Sequence, residues 1–199
     1  MGYAIAAVAA RRGHRVDLVS GPVNLPPPHG VLLVRVTSAA EMFRACVADF
    51  HAYDAAILTA AVCDYRPARR STKKLKKKSR PHALQLVPTR DICAHLGRIK
   101  KKTVLVGFAM EDHDHHAHAE SKLRRKRCDA IVLNGPGNVG SDRAEIEILV
   151  ANGGWTGPFR GTKAEIARRI VGLVEGLTSN RKKSPVGQDR RRKSRRPKA

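Results

Sequence analysis

Aromatic side chains are scarce in this chain, at 4% of 199 residues, and acidic ones are few, with 17 Asp and Glu against 39 Lys and Arg. The shortage of rings calls for an aliphatic core of Ala, Val, Ile and Leu, and it leaves little to stack on unpaired bases. Only four cysteines occur, Cys46, Cys63, Cys93 and Cys128. None forms a C-x-x-C pair, so neither a zinc knuckle nor a dithiol motif of that spacing is indicated, and four reduced thiols in a cytoplasmic protein are expected. No run approaches the roughly 20 apolar residues that span a bilayer, and no secretory leader or membrane role is expected.

What the sequence has in excess is positive charge, a formal +22. It is unevenly spread: nine Lys or Arg fall between Arg66 and Arg80, and ten in the last nineteen residues. Such a field attracts phosphate, whether on nucleotide, nucleic acid or anionic lipid, and composition does not choose among them. The length fits one α/β domain over residues 1–178, and the Lys, Arg, Ser, Pro and Gln of residues 179–199 predict a disordered basic tail.

Periodicity alternates between helix and strand. Gly2–Arg12 predicts a helix closed by Gly13, followed by a strand over Arg15–Ser20. A Pro- and Gly-rich loop leads to a strand over Val31–Val36, and Thr37 or Ser38 caps a helix reaching Phe50, with Glu41 placed for a capping box. Further strands are predicted over Ala55–Val62, Ala83–Val87, Thr103–Met110, Asp129–Asn134 and Glu145–Ala151, with residues 66–80 as a loop. Helices are predicted over Asp91–Leu96, Ala117–Arg127 and Lys163–Leu177, and GGWTGPFRG (Gly153–Gly161) as a turn. The pattern is that of a doubly wound, Rossmann-like, mostly parallel sheet, whose ligands sit beyond the carboxyl ends of the strands.

The residues after those strands carry the chemistry. In Thr59–Pro67 (TAAVCDYRP), small residues let a planar ligand approach the backbone. Asp64 there either accepts hydrogen bonds from a ribose or base, or caps a tight turn. Lys73–Lys78 (KKLKKK) is either a loop that neutralises triphosphate or a solvated basic stretch. Phe108 in VGFAME either stacks on a base or belongs to the core, and Lys122 and Lys126, four apart on one helix face, reach phosphates or water. Glu111–His118 (EDHDHHAH) holds metal-ligand types, with His113 and His116, or His115 and His118, on one face; a polar loop is the simpler reading and no metal ligand is assigned.

In order, the strings MGYAIAAVAARRG, LVSGPVNLP, AAVCDYRP, KLKK, DICAHLG, VGFAME, and K-x-x-x-K before CDAIVLN resemble the phosphopantothenoylcysteine synthetase family, the phosphopantothenate–cysteine ligases. In bacteria this is often the C-terminal half of a bifunctional DNA/pantothenate metabolism flavoprotein whose first half is a decarboxylase. The resemblance covers about residues 1–175 and implies a step in coenzyme A biosynthesis. CTP with Mg2+ activates 4′-phosphopantothenate as an acyl-CMP anhydride, and the amine of L-cysteine then forms the amide. It implies Lys74 as the catalytic residue at the phosphates, with Leu58, Thr59, Ala60, Asp64, Arg90, Asp91, Ile92, Cys93, Phe108, Lys122 and Lys126 completing the nucleotide site. It also implies a homodimer, with residues 66–87 at the contact, and a flavoprotein decarboxylase as partner.

Family members open with a strand and a G-G-T-x-E-x-I-D stretch, then N-x-S-S-G-K-M-G, and this sequence is similar from the Met of the latter onward. The resemblance therefore implies an N-terminally truncated member, with the first strand and glycine-rich turn missing. Thr89-Arg90-Asp91 stands where the family has Asn-Pro-Asp. Two other classes stay open: a catalytically inactive nucleotide-binding remnant, and a protein contacting nucleic acid nonspecifically through Arg190–Lys193 and Arg195–Lys198. The ligase reading expects Lys74, Lys122, Lys126, Asp64 and Phe108 to converge at one mouth of the sheet.

Overall fold

Apolar runs and stripes pair up as the periodicity demands, in the order α1 (Gly2–Arg11), β1 (Val16–Ser20), β2 (Val31–Arg35), α2 (Ala39–Ala48), a single 3-10 turn (Phe50–Ala52), β3 (Ala55–Leu58), β4 (Tyr65–Pro67), β5 (Leu86–Pro88), α3 (Ile92–Ile99), β6 (Val104–Ala109), α4 (His115–Arg125), β7 (Ala130–Asn134), β8 (Arg143–Val150), β9 (Gly154–Thr162) and α5 (Lys163–Lys183). The structure, a computed structural model, describes residues 1–71, 73, 74, 76, 77, 83–110, 115–135, 137 and 140–183.

The main sheet runs β3-β6-β7-β8-β9, with β3, β6 and β7 parallel and β8 and β9 added antiparallel. Alternation along β6 and β7 feeds two cores. Val104, Val106, Ala130 and Val132 pack against Ile5 and Val8 of α1 and Ile166, Ile170 and Val174 of α5. Leu105, Ala109, Ile131 and Leu133 face the other way, against Phe43 of α2, Ile92 and Leu96 of α3 and Ala119 of α4. Helices thus cover both faces, as the doubly wound reading expects.

The parallel pair β1–β2 forms a separate two-stranded sheet. Among the described residues no strand pairs with the second edge of β1 or of β3. Side chains span this break: the Tyr53 hydroxyl, leading into β3, donates to the Asp17 carboxylate of β1 at 2.5 Å.

Several boundaries differ from the sequence expectations. β3 stops at Leu58 instead of Val62, because its partner β6 gives it four paired positions, ending at Leu58 opposite Gly107. The loop expected over 66–80 begins inside β4, which pairs antiparallel with β5, and the strand expected over Ala83–Val87 sits at Leu86–Pro88. The turn expected at Gly153–Gly161 is strand β9. Trp155 pairs opposite Leu149 and Phe159 opposite Ile146, and a register irregularity at Ile146/Ile148 accommodates the Gly and Pro between them. Finally, α5 runs to Lys183, into the stretch expected to be disordered from residue 179. Arg181 holds that last turn by donating to the carbonyls of Lys102 (3.0 Å) and Thr103 (2.8 Å) and pairing with the Asp129 carboxylate. Residues 184–199, most of the expected tail, lie outside the described residues.

Candidate functional site

The N-terminus of α3 is the centre of the candidate site. Asp91 caps it, its Oδ1 accepting the Ala94 amide at 2.9 Å, and its Oδ2 lies 3.0 Å from Lys126 Nζ. Gly97, buried in the last turn of α3, makes this approach possible. A Cβ there would collide with the Lys126 carbonyl oxygen, so only glycine lets α3 lie directly on the turn between α4 and β7. From that turn the long Lys126 side chain runs back along α3 to its cap. Burial raises the Asp91 carboxyl, but the Ala94 amide and the Lys126 ammonium outweigh it and hold the group below the usual carboxylate range.

Two residues beyond Asp91, Cys93 Sγ lies 3.4 Å from Cys128 Sγ. A hydrogen bond from the Cys128 thiol, helped by the charges of Lys126 and Lys122, holds Cys93 below the ordinary thiol range despite burial. Asp91, Cys93 and Lys126 therefore lie in the groove where the start of α3 meets the α4–β7 turn, and the charge of Lys122 reaches Cys93 from beside it.

Upstream of α3, Thr89 stitches a second motif to the same place. Its amide donates to the Asp64 carbonyl at 2.7 Å and its hydroxyl to the Cys63 carbonyl at 2.5 Å. Arg90 then turns outward, its guanidinium 5.0 Å from the centroid of the Phe43 ring, and His95 meets the same ring edge-on at 4.8 Å. Phe43, Arg44, Arg66, Thr89 and Arg90 line a cleft of about 360 Å³. Three arginines on one cleft give it a positive charge that suits an anion.

The structure joins Asp64, Arg90, Asp91, Ile92, Cys93 and Lys126 into one continuous region, with Lys122 beside it. Ile92 serves as core, 7% exposed under the groove. Leu58 ends β3 and packs against the α2–α3 core, and Thr59 lies where a Cβ on Gly2 would come within 2.6 Å of its hydroxyl oxygen. Ala60 is exposed just beyond. Lys74 is exposed on the segment between β4 and β5. Phe108 does not share the lysines' face. It has the parity of Val104 and Val106, and its ring packs against the α1–α5 core, whereas Lys126 sits in the α3–α4 layer. The single mouth for all five side chains is thus corrected: alternation along β6 separates Phe108 from the lysine groove.

Sequence reading missed Phe43, Arg44, Arg66 and Gly97. Arg66 was visible in the Tyr-Arg-Pro string, but Arg44 and Phe43 read as ordinary helix residues until α2 packed beside β4 and β5. The histidine-rich stretch falls partly on residues 111–114, outside the described residues. Among the described residues no group of three or more His, Cys, Asp or Glu side chains is arranged to hold a metal ion.

Comparison with known proteins gives a consistent picture. The sequence model of the family described as DNA/pantothenate metabolism flavoprotein C-terminal domain matches residues 1–177. A curated relative from an unknown prokaryotic organism, named Cysteine/Cysteine sulfinic acid decarboxylase, is 44% identical over 177 residues, covering 86% of this chain and 49% of the relative. The Coenzyme A biosynthesis bifunctional protein CoaBC of Bacillus subtilis is 44% identical over 135 residues, covering 67% of this chain and 33% of the relative. The chain therefore spans half or less of these relatives' length. Among solved structures, the C-terminal domain of Coenzyme A biosynthesis bifunctional protein CoaBC superposes with a TM-score of 0.76 at 36% identity, covering 90% of this chain and 82% of that one.

Proposed function

We propose, from the premise that this chain belongs to the DNA/pantothenate metabolism flavoprotein C-terminal domain family, that it carries the nucleotide-binding part of a phosphopantothenate–cysteine ligase of coenzyme A biosynthesis. The observation that carries this reading is the 3.0 Å pair of Asp91 and Lys126, which ties two motifs distant in sequence into one cationic groove at a helix N-terminus.

Mg2+ would accompany CTP and would offset part of the charge on its phosphates. Lys126 and Lys122 receive phosphate, with Lys126 exchanging the Asp91 carboxylate for a phosphate oxygen. Lys74, on its exposed loop, neutralises the pyrophosphate that leaves when the phosphopantothenate carboxylate attacks the α-phosphorus. The backbone of Leu58–Ala60 and of Arg90–Cys93 walls the nucleotide, and Asp64 takes the ribose or base. The amine of L-cysteine then attacks the acyl carbonyl, the amide forms, and CMP departs. The cleft of Arg44, Arg66 and Arg90 offers a second anionic seat, suited to the phosphate of 4′-phosphopantothenate. Tyr65, Leu84 and Leu86, each more than half exposed near the β4–β5 pair, are the surface assigned to a homodimer contact. A flavoprotein decarboxylase that supplies the preceding or following chemistry is the assigned partner, in the cytoplasm.

Calorimetry with MgCTP and an assay of CMP release with phosphopantothenate and cysteine test this. Binding lost in Lys126→Ala supports the groove, and full activity of Lys74→Ala removes Lys74 from its role. A second reading, nucleotide binding without turnover, is favoured by the break in strand pairing between β1 and β3, since ligands of such sheets sit above strand ends held in register. Binding without CMP release is its expected signature, and absence of binding counts against both.

A further inference from the structure

The ligase chemistry has no use for the two thiols beneath the groove. Their sulfurs stand 3.4 Å apart. They share the space above Gly107 of β6, where a Cβ would lie 3.4 Å from Cys128 Sγ and 3.6 Å from Cys93 Sγ. A disulfide has its sulfurs about 2.05 Å apart, so closure takes about 1.4 Å of combined sulfur movement, within reach of side-chain rotation. Cys93 is half-buried on the first turn of α3 and open to a small oxidant, while Cys128, 4% exposed, stands just before β7.

We propose that Cys93 and Cys128 are a redox modification site that a peroxide converts to a reversible disulfide, locking the first turn of α3 to the start of β7 and, on the nucleotide reading above, weakening nucleotide binding. The link to binding is geometric. Lys126 stands two residues before Cys128, its carbonyl 4.0 Å from the Cys128 sulfur, and its ammonium is paired with Asp91, two residues before Cys93, so the exchange of Asp91 for phosphate takes place at the junction that the disulfide would close. A covalent bond across the same junction holds the cap of α3 and the α4–β7 turn together.

Cys93 attacks first. The hydrogen bond from Cys128 and the nearby lysine ammoniums favour its thiolate, whereas its contact with Cys93, together with burial, pushes Cys128 up and keeps it protonated. The Cys93 thiolate attacks one oxygen of hydrogen peroxide, the O–O bond breaks, and Cys93 becomes a sulfenic acid as hydroxide leaves. The Cys128 sulfur then attacks the Cys93 sulfur. The S–S bond forms, the S–O bond breaks, and the oxygen departs as water with the Cys128 proton. Two electrons pass from the thiols to the peroxide, and a dithiol reductant reverses the change.

The test treats the full chain with hydrogen peroxide, blocks remaining thiols with iodoacetamide and maps peptides by mass spectrometry. A Cys93–Cys128 cross-link removed by dithiothreitol is expected, and Cys128→Ser is expected to abolish it and leave a Cys93 sulfenic acid that dimedone traps. Both thiols recovered alkylated, at a dose that oxidises exposed Cys63, overturn the proposal, as does a cross-link to Cys46 or Cys63 instead. The wild-type map stands even if the variant fails to fold. MgCTP calorimetry on the reduced and oxidised wild type is expected to show about tenfold weaker binding after oxidation. Equal affinities overturn the switch. No binding to the reduced chain overturns the nucleotide reading, while the cross-link is still judged by its own map.

Discussion

Asp91 does two things with one carboxylate, capping α3 and holding Lys126. Asp91→Ala is expected to cost about 1 kcal/mol, the typical worth of a cap, read as a lower urea midpoint with unchanged slope. Asp91→Asn keeps the cap and loses only the ion pair, so its loss is expected to be smaller. The folded carboxyl lies below its ordinary value, so its contribution is present in full above about pH 4 and fades as pH falls through the lower folded value. Urea midpoints of wild type and Asp91→Asn are therefore expected to converge in acid, and a gap that widens there contradicts the assignment. Asp91 was legible as the start of a helix expected over Asp91–Leu96, but its roles as cap and as partner of Lys126 come only from the fold. The contact of Cys93 with Cys128 was not legible, because 35 residues separate them and only the packing of α3 on the α4–β7 turn brings them together.

Gly97 is the point at which residue and element meet. Gly97→Ala is expected to force α3 off that turn and cost about 3 kcal/mol, the upper end for an overpacked site, with loss of the Lys126 pair seen as weaker MgCTP binding. Close to that turn, the end of α5 is anchored through Arg181 to Asp129, which also accepts Lys100 Nζ and the Leu105 amide, each at 2.7 Å. Ending the chain after Thr178 removes Arg181 and is expected to lower the thermal midpoint by about 5 °C, measured by circular dichroism. That end of α5 was hidden because the Ser-Asn-Arg-Lys-Lys composition reads as tail, and its partner lies some fifty residues away. Strand β9 was hidden for another reason. Its glycines and proline are turn signals locally, and only pairing with β8 makes a strand of them. By contrast α1, β6, β7 and the body of α5 were plain in the sequence, since the apolar period of each points to one kind of element.

Over the whole molecule the excess of positive charge sets how the chain meets polyanions. Residues 184–199 contain seven Lys or Arg and one Asp. Their removal is expected to shift elution from heparin to lower salt while leaving MgCTP affinity unchanged, because one effect is diffuse and the other belongs to the groove. The fold class was legible at this scale from alternating α and β periods. The split of the candidate site across two sheet faces was not, since it depends on which parity of β6 each helix covers.

The break between β1 and β3 has a consequence for how the chain breathes. The β1–β2 ribbon shares no backbone ladder with the main sheet among the described residues; it is tethered by Tyr53 to Asp17, by the Tyr3 hydroxyl donating to Ser20 Oγ at 3.0 Å, and by α1 lying against both strands. Native-state deuterium uptake should accordingly separate into two tiers, the amides of Val16–Ser20 and Val31–Arg35 opening well before those of Val104–Ala109 and Ala130–Asn134. A strand supplied along that seam, in cis or in trans, should merge the tiers into one.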